Sequence, residues 1–159
     1  MCGICGIIGE TKDKEKVLAR MMKVMEHRGP DGGDTYASDG ALLGFRRLSI
    51  IDLDTGMQPM VNEDGSMALV FNGEIYNYRI LREMLRQKGH LFKSDSDSEV
   101  ILHGYEEYGE AFLDKLRGMF SFAVWDEKER TLFAARDYFG IKPFYYTVIG
   151  GTLVFASEI

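Results

Sequence analysis

Met119-Phe-Ser-Phe-Ala-Val-Trp125 is the stretch that decides the fold. The run is short and rich in aromatic residues. Gly118 precedes it and the polar stretch 126–130 follows, so it reads as a strand leading into a hairpin turn. Its apolar side chains fall on both faces. An antiparallel strand with one face in water alternates apolar and polar residues. This one does not, so it must be covered twice, by a second sheet on one side and by helices on the other.

Working outward, 131–136, 144–148 and 152–157 read as strands, with Gly150-Gly151 as the last turn. Toward the amino terminus, residues 2–8 alternate and stop at Gly9. Residues 34–38 and 41–49 flank the Asp39-Gly40 turn, a loop carries 52–62, and Asp64-Gly65 opens a strand over 67–71. Helices are predicted between these strand-rich ends. One is capped by Thr11 or Asp13 with a stripe of Val17, Leu18, Met21, Val24 and Met25, and Gly29-Pro30 stops it. Asn77 caps a second, with Ile80, Leu81, Met84 and Leu85 inward and Gly89 at its end. A Ser96-x-x-Glu99 capping box starts a third through Val100, Ile101, Leu102, Tyr105 and Tyr108; a short fourth holds Phe112, Leu113 and Leu116. Strand-rich ends around helices predict an α+β layered sandwich.

The length of 159 residues suits one domain. A domain of this size buries about 68–70% of its unfolded surface, enough for a core without staples. With 45% hydrophobic and 28% charged residues, the composition is that of a soluble globular protein. A net charge of −6 supplies no basic face for nucleic acid. The apolar run 4–9 is too short to span a bilayer and lacks the basic flank of a secretory signal. Two cysteines make no disulfide framework, which points to a reducing compartment, the cytoplasm. The chain stops directly after its last strand, as a domain cut from a longer protein would.

Cys2 and Cys5 form a Cys-x-x-Cys pattern. A redox or zinc pair needs both sulfurs on one side. On a strand, side chains three apart point to opposite faces. No second cysteine pair exists, and His27, His90 and His103 show no ligand spacing, so no metal is expected. Position offers Cys2 a different use. Methionine before a small residue is commonly trimmed, which would leave Cys2 first in the chain. Its own α-amino group, with a reference pKa of about 7.7–8.0, would then be a base within reach of its thiol. The plain alternative is two small buried side chains. Cys5 fits that alternative; for Cys2 the residues alone leave both readings open.

A cysteine that attacks an amide needs oxyanion donors. The Asn72 side-chain amide and the Gly73 N–H offer two, although Asn-Gly also suits a strand-to-helix turn. A guanidinium grips a carboxylate through two parallel bonds, and strand alternation turns only one of Arg46 and Arg47 inward. Glu74 or Asp97 suits an ammonium. Asp95, Asp97 and Glu99 mimic the start of a calcium loop, but Val100 stands where that loop requires glycine.

These pieces join others in one order: Met-Cys-Gly-Ile-Cys-Gly-Ile at 1–7, His27-Arg-Gly-Pro-Asp31, Arg47-Leu-Ser-Ile-Ile-Asp52, Gln58-Pro59, Asn72-Gly-Glu-Ile-Tyr-Asn77, Ser96-Asp-Ser-Glu-Val100 and Arg136-Asp137. Together they resemble the glutaminase domain of glutamine-hydrolysing asparagine synthetases, class II glutamine amidotransferases of the N-terminal-nucleophile superfamily. The likeness covers essentially the whole chain.

The resemblance implies a four-layer αββα sandwich with two central antiparallel sheets. It implies Cys2 as nucleophile once Met1 is lost, Asn72 and Gly73 as the oxyanion hole, and Arg47 on the glutamine α-carboxylate. Glu74 and Asp97 would hold the α-ammonium, the backbone of Leu48, Ser49, Ile50 and Ile51 would line the substrate, and Arg28 would help close the site. No cofactor is expected in this domain. ATP and Mg²⁺ would serve a C-terminal synthetase domain that receives the ammonia, and a homodimer is compatible with the family. A glutamine-binding domain without turnover, or a related amidotransferase with another acceptor, is the alternative.

Overall fold

The computed structural model describes residues 1–48 and 56–159; the segment 49–55, with Ser49, Ile50 and Ile51, lies outside the described residues. In chain order the elements are β1 (Gly3–Ile8), α1 (Lys14–Val24), β2 (Gly32–Ala37), β3 (Ala41–Arg47), β4 (Met60–Val61), β5 (Met67–Ile75), α2 (Tyr78–Gln87), α3 (Glu99–Tyr108), β6 (Gly118–Asp126), β7 (Thr131–Arg136), β8 (Tyr145–Ile149) and β9 (Thr152–Ala156). Short 3-10 turns occupy Met25–His27 and Gly109–Lys115.

The strands form two antiparallel sheets, one ordered β2-β3-β1-β9-β8 and the other β4-β5-β6-β7. Three apolar clusters fill the three gaps between four layers. Leu18 and Met25 pack with Cys5, Ile7 and Leu42 between α1 and the first sheet. Ile4, Leu43, Phe45, Val70, Trp125 and Phe155 lie between the sheets. Leu81, Leu85, Ile101, Leu102 and Phe112 pack on the outer face of the second sheet. Strand β6 explains the stacking. Phe120, Phe122 and Val124 face the helices while Ala123 and Trp125 face the other sheet. Burying each large side chain contributes roughly 1.5–3 kcal/mol, and β6 collects that gain on both faces.

Several local expectations are corrected. Asp13 precedes α1 in a left-handed conformation (φ 57°), and its side chain caps nothing; its carbonyl accepts from Val17 N instead. The Asn77 side chain does not cap α2, because its amide donates to Lys115 O and its Oδ1 accepts from Arg117 N. Ser96 and Glu99 make no capping box. Ser98 precedes α3, and the Glu99 carboxylate accepts from the N–H groups of Lys93 and Ser94 and from the Ser94 hydroxyl. Ile80 is 73% exposed, and Val17 and Val24 are also outside, because each helix buries only a narrow stripe. The fourth helix is a 3-10 turn, and β4 interrupts the loop over 52–62. The acidic run holds no calcium loop: Asp95 pairs with Arg82, Asp97 accepts from Ile75 N, and Glu99 turns back to 93–94. Most consequential, β5 runs on to Ile75, so Asn72 and Gly73 lie inside a strand rather than in a turn. No helix among the described residues is long and apolar enough to cross a membrane.

Candidate active site

The ends of β1, β3 and β5 meet at one cleft. Cys2, Arg47, Leu48, Asn72, Gly73, Glu74 and Asp97 all line it. Cys2 is tied to the end of β3: its Sγ accepts from Leu48 N at 3.5 Å and lies 3.6 Å from Leu48 O. Pairing of Gly3 with Arg46 brings these ends together. Alternation along β3 turns Arg47 into the cleft, where it is buried, and sends Arg46 outward to Glu26 at 3.1 Å.

Asn72 is 2% exposed, and its Nδ2 has no hydrogen-bond partner among the described residues. Its neighbour across the ladder, Ser121, is also buried with an unpartnered hydroxyl. An unsatisfied buried amide is costly, and such groups in native folds call for an explanation. Gly73 adds a second donor. Opposite it, Phe120 N–H donates to Asp137 Oδ2 and Phe120 O accepts from Asp137 N, so the peptide groups of Gly73 face the other edge of β5. On that edge Phe71 N donates to Gln58 Oε1 at 2.6 Å and Ile75 N to Asp97 Oδ2 at 2.7 Å. The Gly73 N–H opens between them. A Cβ on Gly73 would come within 2.3 Å of Met119 O, so only glycine fits this close approach.

Burial pushes the Asp97 carboxyl above its usual range; the Ile75 N–H draws it back and the charge of Glu74 adds to the rise. Two carboxyl groups at one end of the cleft and a guanidinium within it suit a zwitterion.

Cys2, Asn72 and Gly73 thus line one cleft, and comparison with known proteins gives the chain its family. The family model of the glutamine amidotransferase domain matches residues 1–159. The chain belongs to the glutamine amidotransferase domain family. It is 47% identical to glutamine-hydrolysing asparagine synthetase 1 of Bacillus subtilis (strain 168), over 99% of this chain and 26% of that protein. It is 43% identical to glutamine-hydrolysing asparagine synthetase 2 of Arabidopsis thaliana, over 100% of this chain and 28% of that protein. The chain therefore spans about a quarter of the length of these relatives. Among solved structures, glutamine phosphoribosylpyrophosphate amidotransferase from B. subtilis, complexed with ADP and GMP, superposes with a TM-score of 0.80 at 23% identity. That match covers 98% of this chain and 42% of the other, and it supports the two-sheet α+β fold of this glutamine amidotransferase domain.

Within the amidotransferase cleft the remaining motifs act as props. Arg28 Nε donates to Cys2 O at 3.1 Å and its Nη1 to Glu158 at 3.0 Å, so in this conformation Arg28 is a strut under Cys2. Gly29 lets that loop pass the backbone of Arg46 and Arg47, which a Cβ would meet at 2.4 Å. Asp137 accepts from the N–H groups of Phe120, Ile141 and Lys142; burial opposes its charge, but these bonds outweigh it and hold the carboxyl below its usual range. The loop so held brings Lys142 into the cleft, where its Nζ donates to Met1 Sδ at 3.3 Å. Lys142 and Met119 line the site without a role having been read for them from sequence, and Gln58, noted only as part of a shared motif, lines it too. A long stretch of chain separates Lys142 from Cys2, and no local pattern marks the pair.

Proposed function

We propose that this domain hydrolyses the side-chain amide of L-glutamine through a Cys2 thioester. The observation that carries the reading is the buried, unpartnered Asn72 amide beside the edge N–H of Gly73, in the cleft that holds Cys2. With Met1 removed, the Cys2 amine takes the thiol proton as sulfur attacks the amide carbon. The oxygen of the tetrahedral intermediate falls to Asn72 Nδ2 and Gly73 N–H. Each such donor is worth about 2.7–4 kcal/mol of barrier. The amine passes its proton to the departing ammonia, and water cleaves the thioester to glutamate. Arg47 receives the α-carboxylate, Glu74 and Asp97 the α-ammonium, and the backbone of Leu48 lines the substrate.

The ammonia passes to a synthetase portion outside this chain, which uses ATP and Mg²⁺; a homodimer is compatible with this reading. Support for that portion comes from the names and lengths of the relatives; no residue here is assigned to ATP or Mg²⁺. A cytoplasmic location accords with two thiols that face opposite sides of a strand.

The position of Met1 favours a second reading in one circumstance. Met1 lines the cleft and meets Lys142, so a chain that keeps Met1 has a partly filled site and an amine displaced from the thiol. Such a form would bind glutamine without turnover. Intact mass beside ammonia release from glutamine tests both. Turnover is expected only in the form lacking Met1, and full turnover with Met1 retained would sink the terminal-amine mechanism.

A further inference from the structure

Remote from the cleft, Glu63, His90 and His103 each bring one ligand atom within 4.8 Å of the other two. They come from three places: the β4–β5 turn, the segment after α2, and α3. We propose that these residues, with Glu106, bind a divalent transition-metal ion of zinc-like chemistry, a site that stands apart from the glutaminase reading.

The inward atoms sit close together at long spacings, and the one hydrogen bond between them, His103 Nδ1 with Glu106 Oε2, is long. His103 Nδ1 lies 3.4 Å from Glu106 Oε2 and 3.6 Å from Glu63 Oε2, and His90 Nδ1 lies 3.5 Å from the same Glu106 oxygen. Charge-assisted hydrogen bonds would close to about 2.7–2.9 Å. Ligands at about 2.0–2.2 Å from a tetrahedral ion are instead separated by roughly 3.3–3.6 Å. Each carboxylate is anchored through its other oxygen: Glu63 Oε1 accepts from Leu91 N, and Glu106 Oε1 from Asn62 Nδ2.

Both imidazoles also carry outer carboxylates, the pattern that orients metal-binding histidines. Glu107 Oε2 lies 3.3 Å from His90 Nε2, and Glu99 Oε1 lies 3.6 Å from His103 Nε2. His103 is 1% exposed, and its Nε2 makes no hydrogen bond among the described residues. Phe92 packs edge-on against its ring. Lys88 pairs with Glu107, leaving the group rich in negative charge that a dication would offset. An ion here would clasp α3 to the segment after α2 and to the β4–β5 turn. It would act as a structural tie, since α3 begins two residues after Asp97.

Zn²⁺ titration of the Cys2→Ala chain, which removes the accessible thiol, tests the site, with Co²⁺ as a visible-absorption probe. One ion per chain is expected, with Co²⁺ bands of nitrogen–oxygen coordination. His90→Gln weakens binding at least about tenfold, while His27→Gln, outside the cluster, leaves it unchanged. Glu63→Gln, at the rim of the cluster, serves where His90→Gln misfolds, and a weakening there supports the site equally. Absence of a stoichiometric ion, or affinity unchanged in the folded His90→Gln and Glu63→Gln chains, overturns the proposal.

Discussion

Cys2 and Cys5 are three residues apart on one line of backbone and have opposite environments. Cys2 faces the space between the sheets and opens onto the cleft, held at Leu48 and backed by Arg28. Cys5 faces α1, fully buried, and burial pushes its thiol up to about 12. The start of β1 leaves one sulfur available and its interior makes the other inert. What differs is the layer each enters, which strand alternation sets, and the distance from the chain start, which decides whether an amine can reach the sulfur.

The largest test of this contrast is activity. In the Met1-free domain, Cys2→Ala should lower glutamine turnover by on the order of 10⁴-fold or more, the scale of a lost nucleophile. Cys5→Ala should leave turnover within a few-fold in the same ammonia-release assay, and parity between the two would erase the distinction. Alkylation comes next. At pH 8 a thiol titrating near 12 is about 10⁻⁴ thiolate and Cys5 is also fully buried, so iodoacetamide should label the cleft-facing Cys2 well before Cys5, read by peptide mass.

Asn72→Ala then separates the oxyanion donor from the nucleophile. Its kcat should fall about 10²–10³-fold with KM little changed, and a KM effect alone would reassign Asn72 to binding. The last contrast is in stability, and it is spread over a wide pH range. The folded value for Cys5 lies above the ordinary value near 9, so the contribution of its burial is complete below pH 9 and declines as pH rises toward 12. The slope from this one group is about 1.4 kcal/mol per pH unit. Urea unfolding across that window should show a steeper loss in the parent chain than in Cys5→Ala, since Tyr36, Lys88 and Lys128 are also held above their ordinary values and remain in both.

Much of the fold was legible because its signals are local. The two-faced apolarity of 119–125 implied a covered sheet, and the structure supplies the two coverings as Phe120, Phe122 and Val124 against Ala123 and Trp125. Helix ends were read less well. Asn77 and Glu99 have the residue types of caps, but their polar atoms meet stronger tertiary offers at 115–117 and 93–94. In the candidate site, alternation said that only one arginine of the pair turns inward, and the structure turns Arg47 into the cleft. It gave no sign of Lys142, which reaches the cleft only through chain folding.

By itself the sequence determined the period of each strand, hence the opposite faces of Cys2 and Cys5, and the order of motifs that the family shares. Only the tertiary structure decided that Asn72 lies within a strand with an unpartnered amide, and that Lys142 meets Met1. It alone brought His90 and His103 together, their ring centroids 5.0 Å apart. The physical reason is reach. Backbone geometry sets relations over a few residues, whereas sheet register and helix packing set the distances between groups far apart in the chain.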